Sequence, residues 1–421
     1  MNYFIKTFGC QMNICDSDTI DFSLSTIYGA SKVTDVLYAD VVILNTCSVR
    51  SQSEQKAFSY IGRLEEFKLQ NPNLKIVIIG CMAERLGYKI KKRFSGVDLI
   101  IGSKDINITA FKIINLYFTN NYLKKNFNYK FKVIEYVTIT SGCNNYCSYC
   151  IVPFVRGIEK SINYQLLIDK CSLMAKNGTK EVMLLGQNVN SYKYNGVNFS
   201  LLLKRIASIE NLYRIRFMTN HPNDFDDKLI DTITNEYKIC PHIHLPMQSA
   251  SNKILKAMNR KYTYEYYFNL VNKLRKKIPG VSITTDIIVG FPNETERDFN
   301  DTLNAIKTIK FDGLYVFKYS ARSNTTAFKM FDTVTTEEKK RRHSVILKES
   351  NKISAKIISK MIGSTQQVLA EKFDNGIIKS RTRTGHKVFI NGSEKYVGKI
   401  FNVIIKSVKV NSLYGSIINK I

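Results

Sequence analysis

Three cysteines lie close together in the segment SGCNNYCSYC, as Cys143, Cys147 and Cys150. Their spacing, C-x3-C-x2-C, places three thiols in one short loop, and thiolates are soft ligands for zinc or for iron–sulfur clusters. A structural zinc site needs four ligands, usually arranged as two pairs, and no other Cys or His follows closely. A cluster held by three thiolates keeps one iron open to bind a cofactor. The loop therefore favours an iron–sulfur cluster over zinc.

A second set of cysteines ends three apolar runs in the first quarter of the chain. The runs YFIKTFGC, ADVVILNTC and LKIVIIGC end at Cys10, Cys47 and Cys81. Continuous β-branched runs that alternate with helical segments are typical of a parallel sheet buried on both faces. Ligands of such sheets bind at the carboxyl ends of the strands. We therefore expect these three thiols to converge, although the alternative for any one of them is a packed thiol.

The remaining cysteines have no such pattern. Cys15 lies where a helix begins, Cys171 lies on an apolar helical face, and Cys240 precedes a proline. We interpret these three as packed thiols rather than ligands. The total of nine is odd and unevenly spread, which favours metal ligation in a reducing compartment over a disulfide framework. Because the first residues, MNYFIKTFGCQMN, show no basic n-region followed by an apolar h-region, the sequence predicts a cytoplasmic protein.

Strand and helix patterns alternate from YVTITSGC to about residue 330. About six consecutive βα units predict a barrel or part of one, with chemistry at the carboxyl ends of its strands. Cys143 directly follows the first of these strands. The loop cysteines therefore occupy the position where barrel enzymes carry their active sites.

The predicted fold class is α/β with a small all-β module at the end. We expect an N-terminal parallel α/β domain over 1–117, a polar linker over 118–134, a partial (βα)6 barrel domain over 135–360 and a small β-barrel over 361–421. The last domain is predicted from short alternating runs separated by turn residues.

The composition indicates a polyanionic partner. The formal net charge is +27, and from residue 364 onward there are ten Lys and Arg against three acidic residues. Neutralising phosphates with basic side chains gives large, salt-sensitive affinity. We predict that the final β-barrel binds RNA, with KSRTRTGHK as its contact edge; the alternative is a solvated basic face. No apolar stretch is long enough to suggest a membrane span, so no membrane partner is expected.

Several segments together resemble one enzyme family over nearly the whole chain. These segments are KTFGCQMNICDSD, LNTCSVRSQSEQKAFSYIGR, SGCNNYCSYCIVPFVRG, LLGQNVNSY, LPMQSASNKILKAMNR, TTDIIVGFPNETERDF and FKYSARSNTTAF. They resemble the methylthiotransferases among the radical S-adenosylmethionine (SAM) enzymes, and most closely the branch that modifies N6-dimethylallyladenosine in tRNA. That family has the same domain order, ending in a TRAM domain that binds RNA.

The resemblance implies two [4Fe-4S] clusters and two uses of SAM. The catalytic cysteines Cys143, Cys147 and Cys150 would hold the cluster whose open iron binds SAM, and reduction would yield a 5′-deoxyadenosyl radical that takes hydrogen from adenine C2. The triad of Cys10, Cys47 and Cys81 would hold an auxiliary cluster that carries the inserted sulfur, methylated by a second SAM. The product would be the 2-methylthio derivative of N6-dimethylallyladenosine next to the anticodon.

Polar residues at the predicted strand ends are candidates for binding SAM. They are Gly186, Gln187, Gln248, Ser249, Asp286 and Tyr319. For each, the alternative is a polar residue that closes a strand or caps a helix. Arg156 could contact an RNA phosphate or the cofactor. One position departs from the family, which tends to read RGxExSR where this chain reads RGIEKSIN, so that Ile162 replaces an arginine.

The expected partners follow from the same resemblance. They are the tRNA anticodon stem-loop, a reducing electron donor such as flavodoxin or ferredoxin, and a sulfur source, all acting on a monomer. We expect the tRNA to carry its prenyl group before it is modified. Two alternatives within the chemistry are threonylcarbamoyl-adenosine in tRNA and an aspartate of a ribosomal protein. An alternative of another class is a non-catalytic, zinc-stabilised RNA-binding protein.

Overall fold

The computed structural model describes residues 1–49, 51–116 and 129–418, which form two compact units. The first unit comprises 1–130, 141–144 and 150–160, and the second comprises 131–140, 145–149 and 161–421. Most of the predicted linker, residues 118–128, lies outside the described residues. Within the described ranges, no helix is both long and apolar enough to cross a membrane.

The first unit is built on a five-stranded parallel sheet in the order β2-β1-β3-β4-β5. Its strands are β1 (Asn2–Phe8), β2 (Ser31–Lys32), β3 (Val41–Thr46), β4 (Lys75–Gly80) and β5 (Leu99–Gly102). Its helices are α1 (Gln11–Phe22), α2 (Ser51–Gln70), α3 (Cys81–Leu86), α4 (Tyr88–Arg93), α5 (Thr109–Ile114) and α6 (Val152–Arg156).

The central strands of this sheet are buried on both faces, as their apolar sequences predict. Every residue of β3 is buried, and side chains on the two faces of the sheet enter two separate hydrophobic cores. The register pairs Phe8 with Thr46 and Thr46 with Gly80. Three strands therefore end side by side: β3 and β4 end directly before Cys47 and Cys81, and β1 ends two residues before Cys10. The predicted parallel α/β domain is confirmed.

The second unit contains six parallel barrel strands in two sheets of three, ordered β12-β9-β6 and β13-β14-β15. Its strands are β6 (Ile134–Thr138), β9 (Glu181–Leu185), β12 (Arg214–Phe217), β13 (His242–His244), β14 (Ser282–Val289) and β15 (Gly313–Lys318). Short strands are β7 (Thr140–Ser141), β8 (Lys160–Ser161), β10 (Lys193–Tyr194) and β11 (Val197–Asn198). The predicted partial (βα)6 barrel is confirmed.

Amphipathic helices cover these strands. They are α7 (Tyr164–Lys176), α8 (Phe199–Ala207), α9 (Asp227–Asn235), α10 (Asn252–Ala257), α11 (Tyr264–Lys277), α12 (Glu296–Ile309) and α13 (Thr336–Ser359). α12 shows why these segments become helices. Thr295 and Asp298 form a capping box at its start, and buried Phe299, Ile306 and Ile309 recur at helical spacing. The barrel core therefore follows from the pattern of apolar residues.

A closed five-stranded barrel forms the end of the chain, as predicted. Its strands are β16 (Thr365–Asp374), β17 (Ile377–Thr382), β18 (Lys387–Asn391), β19 (Ile400–Lys409) and β20 (Ser412–Ile417), in the order β16-β17-β18-β20-β19. Burial alternates along β19, where Phe401, Val403 and Ile405 point inward. This period of two is what a barrel wall requires.

The segment predicted as an RNA-contact edge instead packs on the (βα)6 barrel. Arg383 donates to the carbonyl oxygen of Ile239 at 3.1 Å, and its guanidinium lies 4.0 Å from the ring centre of Tyr237. Arg381 pairs with Glu371 at 2.6 Å. Arg216 of the barrel donates in turn to the Arg383 carbonyl at 3.0 Å. The prediction is therefore wrong for these two arginines, because both pair with protein groups and Arg383 Nη1, which has no partner among the described residues, is buried.

Gly80 gives a test of the strand-end geometry. Its φ is +94°, and a Cβ atom there would lie 2.5 Å from the Thr46 carbonyl oxygen. We expect Gly80→Ala to destabilise the first unit by about 1–3 kcal/mol through backbone strain and this clash. Gly62→Ala is the matched control, because the nearest atom to its Cβ is 4.0 Å away. Urea unfolding followed by circular dichroism measures both, and equal stability of the two variants would contradict the expectation.

Candidate functional site

The cysteines that follow β1, β3 and β4 lie at one edge of the first unit's sheet. Cys10 is the N-cap residue of α1, and Cys81 is the first residue of α3. Cys47 and Cys81 are buried, whereas Cys10 is half-buried. All nine cysteines are thiols rather than disulfides. The three predicted auxiliary ligands therefore come together as the parallel register requires.

The electrostatic surroundings differ among the three thiols of this triad. A hydrogen bond from Cys47 lowers the pKa of Cys10 to about 6, with help from the charge of Arg156 and against the effect of burial. The pKa of Cys47 is raised by the same hydrogen bond, and burial raises the pKa of Cys81. Three convergent thiols, one of them readily ionised, are a suitable donor set for a cluster of several irons. Among the described residues, no group of three or more His, Cys, Asp or Glu side chains forms a site for a single metal ion.

Buried polar side chains hold the triad in position. Asn13 Nδ2 donates to Asn45 Oδ1 at 2.8 Å, and Cys10 Sγ lies 3.3 Å from Asn13 Oδ1. A Cβ atom on Gly9 would lie 3.0 Å from the Cβ of Cys47 and 2.4 Å from Asn13 Oδ1. A glycine is therefore required directly before Cys10, because any side chain there would displace its neighbours.

Arg156 lies beside the same triad. Its Nη2 donates to Asp16 Oδ2 at 2.7 Å, and both side chains are buried. The charge of Arg156 also acts on the Cys81 thiol. Burial would lower the pKa of Arg156, but the Asp16 carboxylate outweighs it and raises that pKa. The sequence left open whether Arg156 contacts an RNA phosphate or the cofactor. In the structure this side chain is buried and its partner is the Asp16 carboxylate, which does not favour a contact with an RNA phosphate.

The C-x3-C-x2-C loop carries three half-buried cysteines. In the first unit, the backbone N–H of Cys143 donates to the Gly157 carbonyl at 3.2 Å. In the second unit, Arg260 Nη1 lies 3.3 Å from Cys147 Sγ. Arg260 also donates to the Pro246 carbonyl and to Tyr262 Oη, so its guanidinium is fixed. Cys147 therefore lies next to a buried, fixed positive charge.

Two of the candidate SAM-binding residues have features typical of binding sites. Gln248 is buried with a φ of +71°, and its Oε1 has no hydrogen-bond partner among the described residues. A positive φ is uncommon in a non-glycine residue, and a buried side-chain oxygen without a hydrogen-bond partner is uncommon in any residue. Gly186 lies directly after β9, where a Cβ atom would come within 2.0 Å of Thr140 Oγ1. Gln187 beside it is half-buried.

The other three candidates already have protein partners. Ser249 Oγ accepts from the Ser251 N–H at 3.2 Å, and Tyr319 Oη donates to the Ala327 carbonyl at 2.9 Å. Asp286 Oδ2 lies 3.4 Å from His244 Nε2. These contacts match the alternative that such residues close strands and cap loops. Their assignment to the cofactor remains a prediction.

Sequence reasoning missed two further strand-end residues. Asn188 follows β9 and Asn220 follows β12; both are buried, and the Oδ1 of each lacks a partner in the described part of the chain. Thr219, next to Asn220, has a φ of +69°, which is strained for a β-branched residue. The rule that ligands bind at strand ends could have found both asparagines. Nothing in the sequence signals the conformation of Thr219 or the contact of Arg260.

The remaining singled-out residues pack in the protein interior. Cys15, Cys171 and Cys240 are buried, and burial raises the pKa of Cys171 to about 12. Ile162 packs against the barrel core, and its carbonyl accepts a hydrogen bond from Tyr192 Oη at 2.7 Å. An isoleucine therefore suits its surroundings at the position where the family tends to have arginine.

Three family descriptions match successive parts of the chain. The uncharacterized protein family UPF0004 matches residues 2–102, the Radical SAM superfamily matches 137–306, and the TRAM domain matches 359–418. Among solved structures, the radical S-adenosylmethionine methyltransferase TsrM from Kitasatospora setae is similar with a TM-score of 0.56 and 13% identity, covering 90% of this chain and 80% of that one. This likeness supports the fold.

Curated relatives are similar over the full length. The tRNA-2-methylthio-N(6)-dimethylallyladenosine synthase of Endomicrobium trichonymphae is 64% identical, covering 99% of this chain and 100% of that protein. The protein of the same name from Thermodesulfovibrio yellowstonii is 45% identical, with 99% and 98% covered. The family predicted from the motifs is confirmed, and the non-catalytic zinc alternative loses its support. The chain belongs to the tRNA-2-methylthio-N(6)-dimethylallyladenosine synthase family of radical SAM proteins.

Proposed function

We propose that this protein is a radical SAM methylthiotransferase that adds a methylthio group to C2 of N6-dimethylallyladenosine next to the anticodon of tRNA. The observation that carries the proposal is the pairing of two cysteine sets in one chain: a triad at a sheet edge, and a C-x3-C-x2-C loop after the first barrel strand. Sulfur insertion by a radical route needs one site that generates the radical and a second site that carries the sulfur. The full-length relatives support the tRNA target.

Cys10, Cys47 and Cys81 hold the auxiliary [4Fe-4S] cluster in this proposal. Their strands fix the three Cα positions, while Asn13 and Gly9 fix the local backbone. The backbone N–H of Val49 donates to Cys47 Sγ at 3.3 Å, a contact that suits a sulfur ligand in a protein interior. The protein's part would be to present three sulfur ligands at one edge of the sheet, where the cluster would carry the sulfur to be inserted.

Cys143, Cys147 and Cys150 hold the second [4Fe-4S] cluster, to which SAM binds. When bound and reduced, this cluster and SAM supply the 5′-deoxyadenosyl radical that removes hydrogen from the target carbon. Arg260 would place a fixed positive charge beside the Cys147 sulfur, and the barrel would keep water away from the radical. The chain therefore contributes placement and shielding rather than the radical itself.

Amide side chains at the strand ends position SAM. Gln248, Asn220 and Asn188 each present a buried carbonyl oxygen that no described residue satisfies. Such acceptors suit the ammonium group and the ribose hydroxyls of SAM, and leaving them unpaired would cost free energy. Gly186 lets the chain pass close to Thr140. In this proposal Gln187, Ser249 and Asp286 complete the surroundings of the cofactor, and Tyr319 contributes its ring, because its hydroxyl already donates to the Ala327 carbonyl.

RNA binding is assigned to the exposed face of the C-terminal barrel. Lys406 and Lys409 lie on the outward face of β19, and Lys387 is exposed on β18. An anticodon stem-loop presents phosphates to these side chains and unstacked bases to the active site. We also propose a cytoplasmic monomer that receives electrons from a flavodoxin or ferredoxin, draws on a separate sulfur source and acts on prenylated tRNA.

Counting iron in variants tests the two-cluster proposal. After anaerobic reconstitution we expect about eight irons per chain, and about four in either triple variant, Cys10→Ala/Cys47→Ala/Cys81→Ala or Cys143→Ala/Cys147→Ala/Cys150→Ala. The first of these variants should still cleave SAM but leave tRNA unmodified. A Cys15→Ala/Cys171→Ala/Cys240→Ala variant is the control and should keep about eight irons. About four irons in the parent, with none after loss of the loop cysteines, would refute the auxiliary cluster.

Variants at Gln248 and Tyr319 should distinguish an effect on SAM binding from an effect on stability. We expect Gln248→Ala to weaken SAM binding about tenfold or more with little loss of stability, because its amide oxygen satisfies nothing in the protein. Tyr319→Phe should leave SAM affinity nearly unchanged but lower stability by about 1–2 kcal/mol, because the Ala327 carbonyl loses its donor. Calorimetric titration and urea unfolding measure the two effects. Unchanged SAM affinity in Gln248→Ala would refute its role.

Charge removal on β19 tests the RNA surface. The Lys406→Ala/Lys409→Ala variant should bind the tRNA anticodon stem-loop more weakly, and the slope of log K against log salt should fall by roughly one to two. Lys91→Ala/Lys92→Ala on α4 removes the same charge from exposed positions of the first unit and serves as the control. Filter binding at several salt concentrations provides the measurement. A similar loss of affinity in both variants would indicate that the total charge of the protein, rather than this face of the barrel, determines RNA binding.

A further inference from the structure

Helix α6 connects the two cysteine sets through the sequence. It begins two residues after Cys150 and ends at Arg156, so Arg156 belongs to the stretch that carries the C-x3-C-x2-C cysteines. Yet its guanidinium lies among the strand-end cysteines of the first unit. The auxiliary site is therefore completed by a side chain from the other cysteine motif.

One contact fixes the Arg156 side chain. Nη2 donates to Asp16 Oδ2 at 2.7 Å, and the positive charge also acts on the Cys81 thiol. Asp16 lies on α1, the helix that Cys10 caps, so the ion pair joins α6 to the helix that starts at the triad. Both charged side chains are over nine-tenths buried. Screening by solvent is therefore weak at this pair.

Packing holds α6 in the same place. Ile151 and Val155 form a small apolar cluster with Cys81, and Ser103 Oγ donates to the Val155 carbonyl at 2.6 Å. At the end of the helix, the carbonyl of Gly157 accepts the N–H of Cys143 at 3.2 Å. One five-residue helix and its cap thus contact a cysteine from each set.

A buried ion pair by itself adds little to stability, because desolvation offsets the attraction. The Arg156–Asp16 pair therefore calls for a reason other than folding. A positive charge and an N–H donor next to a ligand sulfur favour the more reduced state of an iron–sulfur cluster and raise its reduction potential. A nearby carboxylate acts in the opposite direction. The two side chains together can set the potential of whatever cluster the triad holds.

We propose that Arg156 and Asp16 are positioning residues of the auxiliary site, which set the reduction potential of its cluster and link its position to the radical-site loop. The inference rests on the proposed function, because it requires a cluster on Cys10, Cys47 and Cys81. Arg156 raises the potential through its charge. Asp16 holds the guanidinium in place and lowers the potential.

Redox titration of a single cluster tests this assignment. The full-length Cys143→Ala/Cys147→Ala/Cys150→Ala variant serves as background, so that only the auxiliary cluster contributes to the electron paramagnetic resonance signal. We expect Arg156→Met to lower its midpoint potential, Asp16→Asn to raise it and Arg156→Lys to stay nearer the background value. Arg85→Met is the matched control, because Arg85 pairs with Glu54 and Ser48 in the same unit. It should leave the potential unchanged.

Opposite shifts are the decisive result, because a merely structural role would not reverse sign between the two variants. Shifts of the same sign, no shift in either variant, or an equal shift in Arg85→Met would overturn the proposal. If Arg156→Met loses iron, the test depends on Asp16→Asn alone. A raised midpoint potential in that variant supports the proposal, and an unchanged potential refutes it. If the background and the Arg156 and Asp16 variants each hold about four irons and have the same midpoint potential, this inference alone is refuted. If the background variant holds no iron, the two-cluster assignment is refuted as well.

Discussion

The parallel register of three neighbouring strands is the constraint on which the proposed chemistry depends. Phe8, Thr46 and Gly80 are paired across the sheet, so the residues that follow them must emerge at the same edge. Neighbouring strands lie about 4.8 Å apart, a separation that brings thiols from distant parts of the sequence together without any local motif. A shift of one strand by one residue would turn its cysteine away. The buried cores on both faces of the sheet make such a shift costly.

Buried guanidinium groups are the second recurring feature. Arg156 places its charge near Cys81 in the first unit, and Arg260 contacts Cys147 in the second. Each has other partners that offset its desolvation: the Asp16 carboxylate for Arg156, and the Pro246 carbonyl with Tyr262 Oη for Arg260. Cysteine ligands must be deprotonated to bind metal, and a fixed cation beside the sulfur favours that state. Both cysteine sets therefore receive positive charge that does not depend on solvent.

Sequence patterns predicted the architecture well, because it rests on apolar periodicity and strand-end cysteines. The parallel sheet, the six barrel strands and the final closed barrel all follow from those patterns. Contacts between segments far apart in sequence could not be predicted in the same way. The roles of Arg156 and Arg260 depend on where Asp16 and Pro246 come to lie, and Arg383 was misassigned to RNA because its docking on Tyr237 is a tertiary contact. Backbone strain at Gln248 and Thr219 likewise leaves no mark in the sequence.

The central claim is methylthiolation at C2 of N6-dimethylallyladenosine, and the nucleoside product tests it most directly. The reconstituted protein would be incubated anaerobically with SAM, a reductant and tRNA that carries the prenyl group, and the digested nucleosides analysed by mass spectrometry. The account predicts that N6-dimethylallyladenosine gains one methylthio group in place of hydrogen, and that unprenylated tRNA reacts much more slowly. Conversion of threonylcarbamoyl-adenosine instead, or no methylthiolated nucleoside from protein with both clusters loaded, would contradict it.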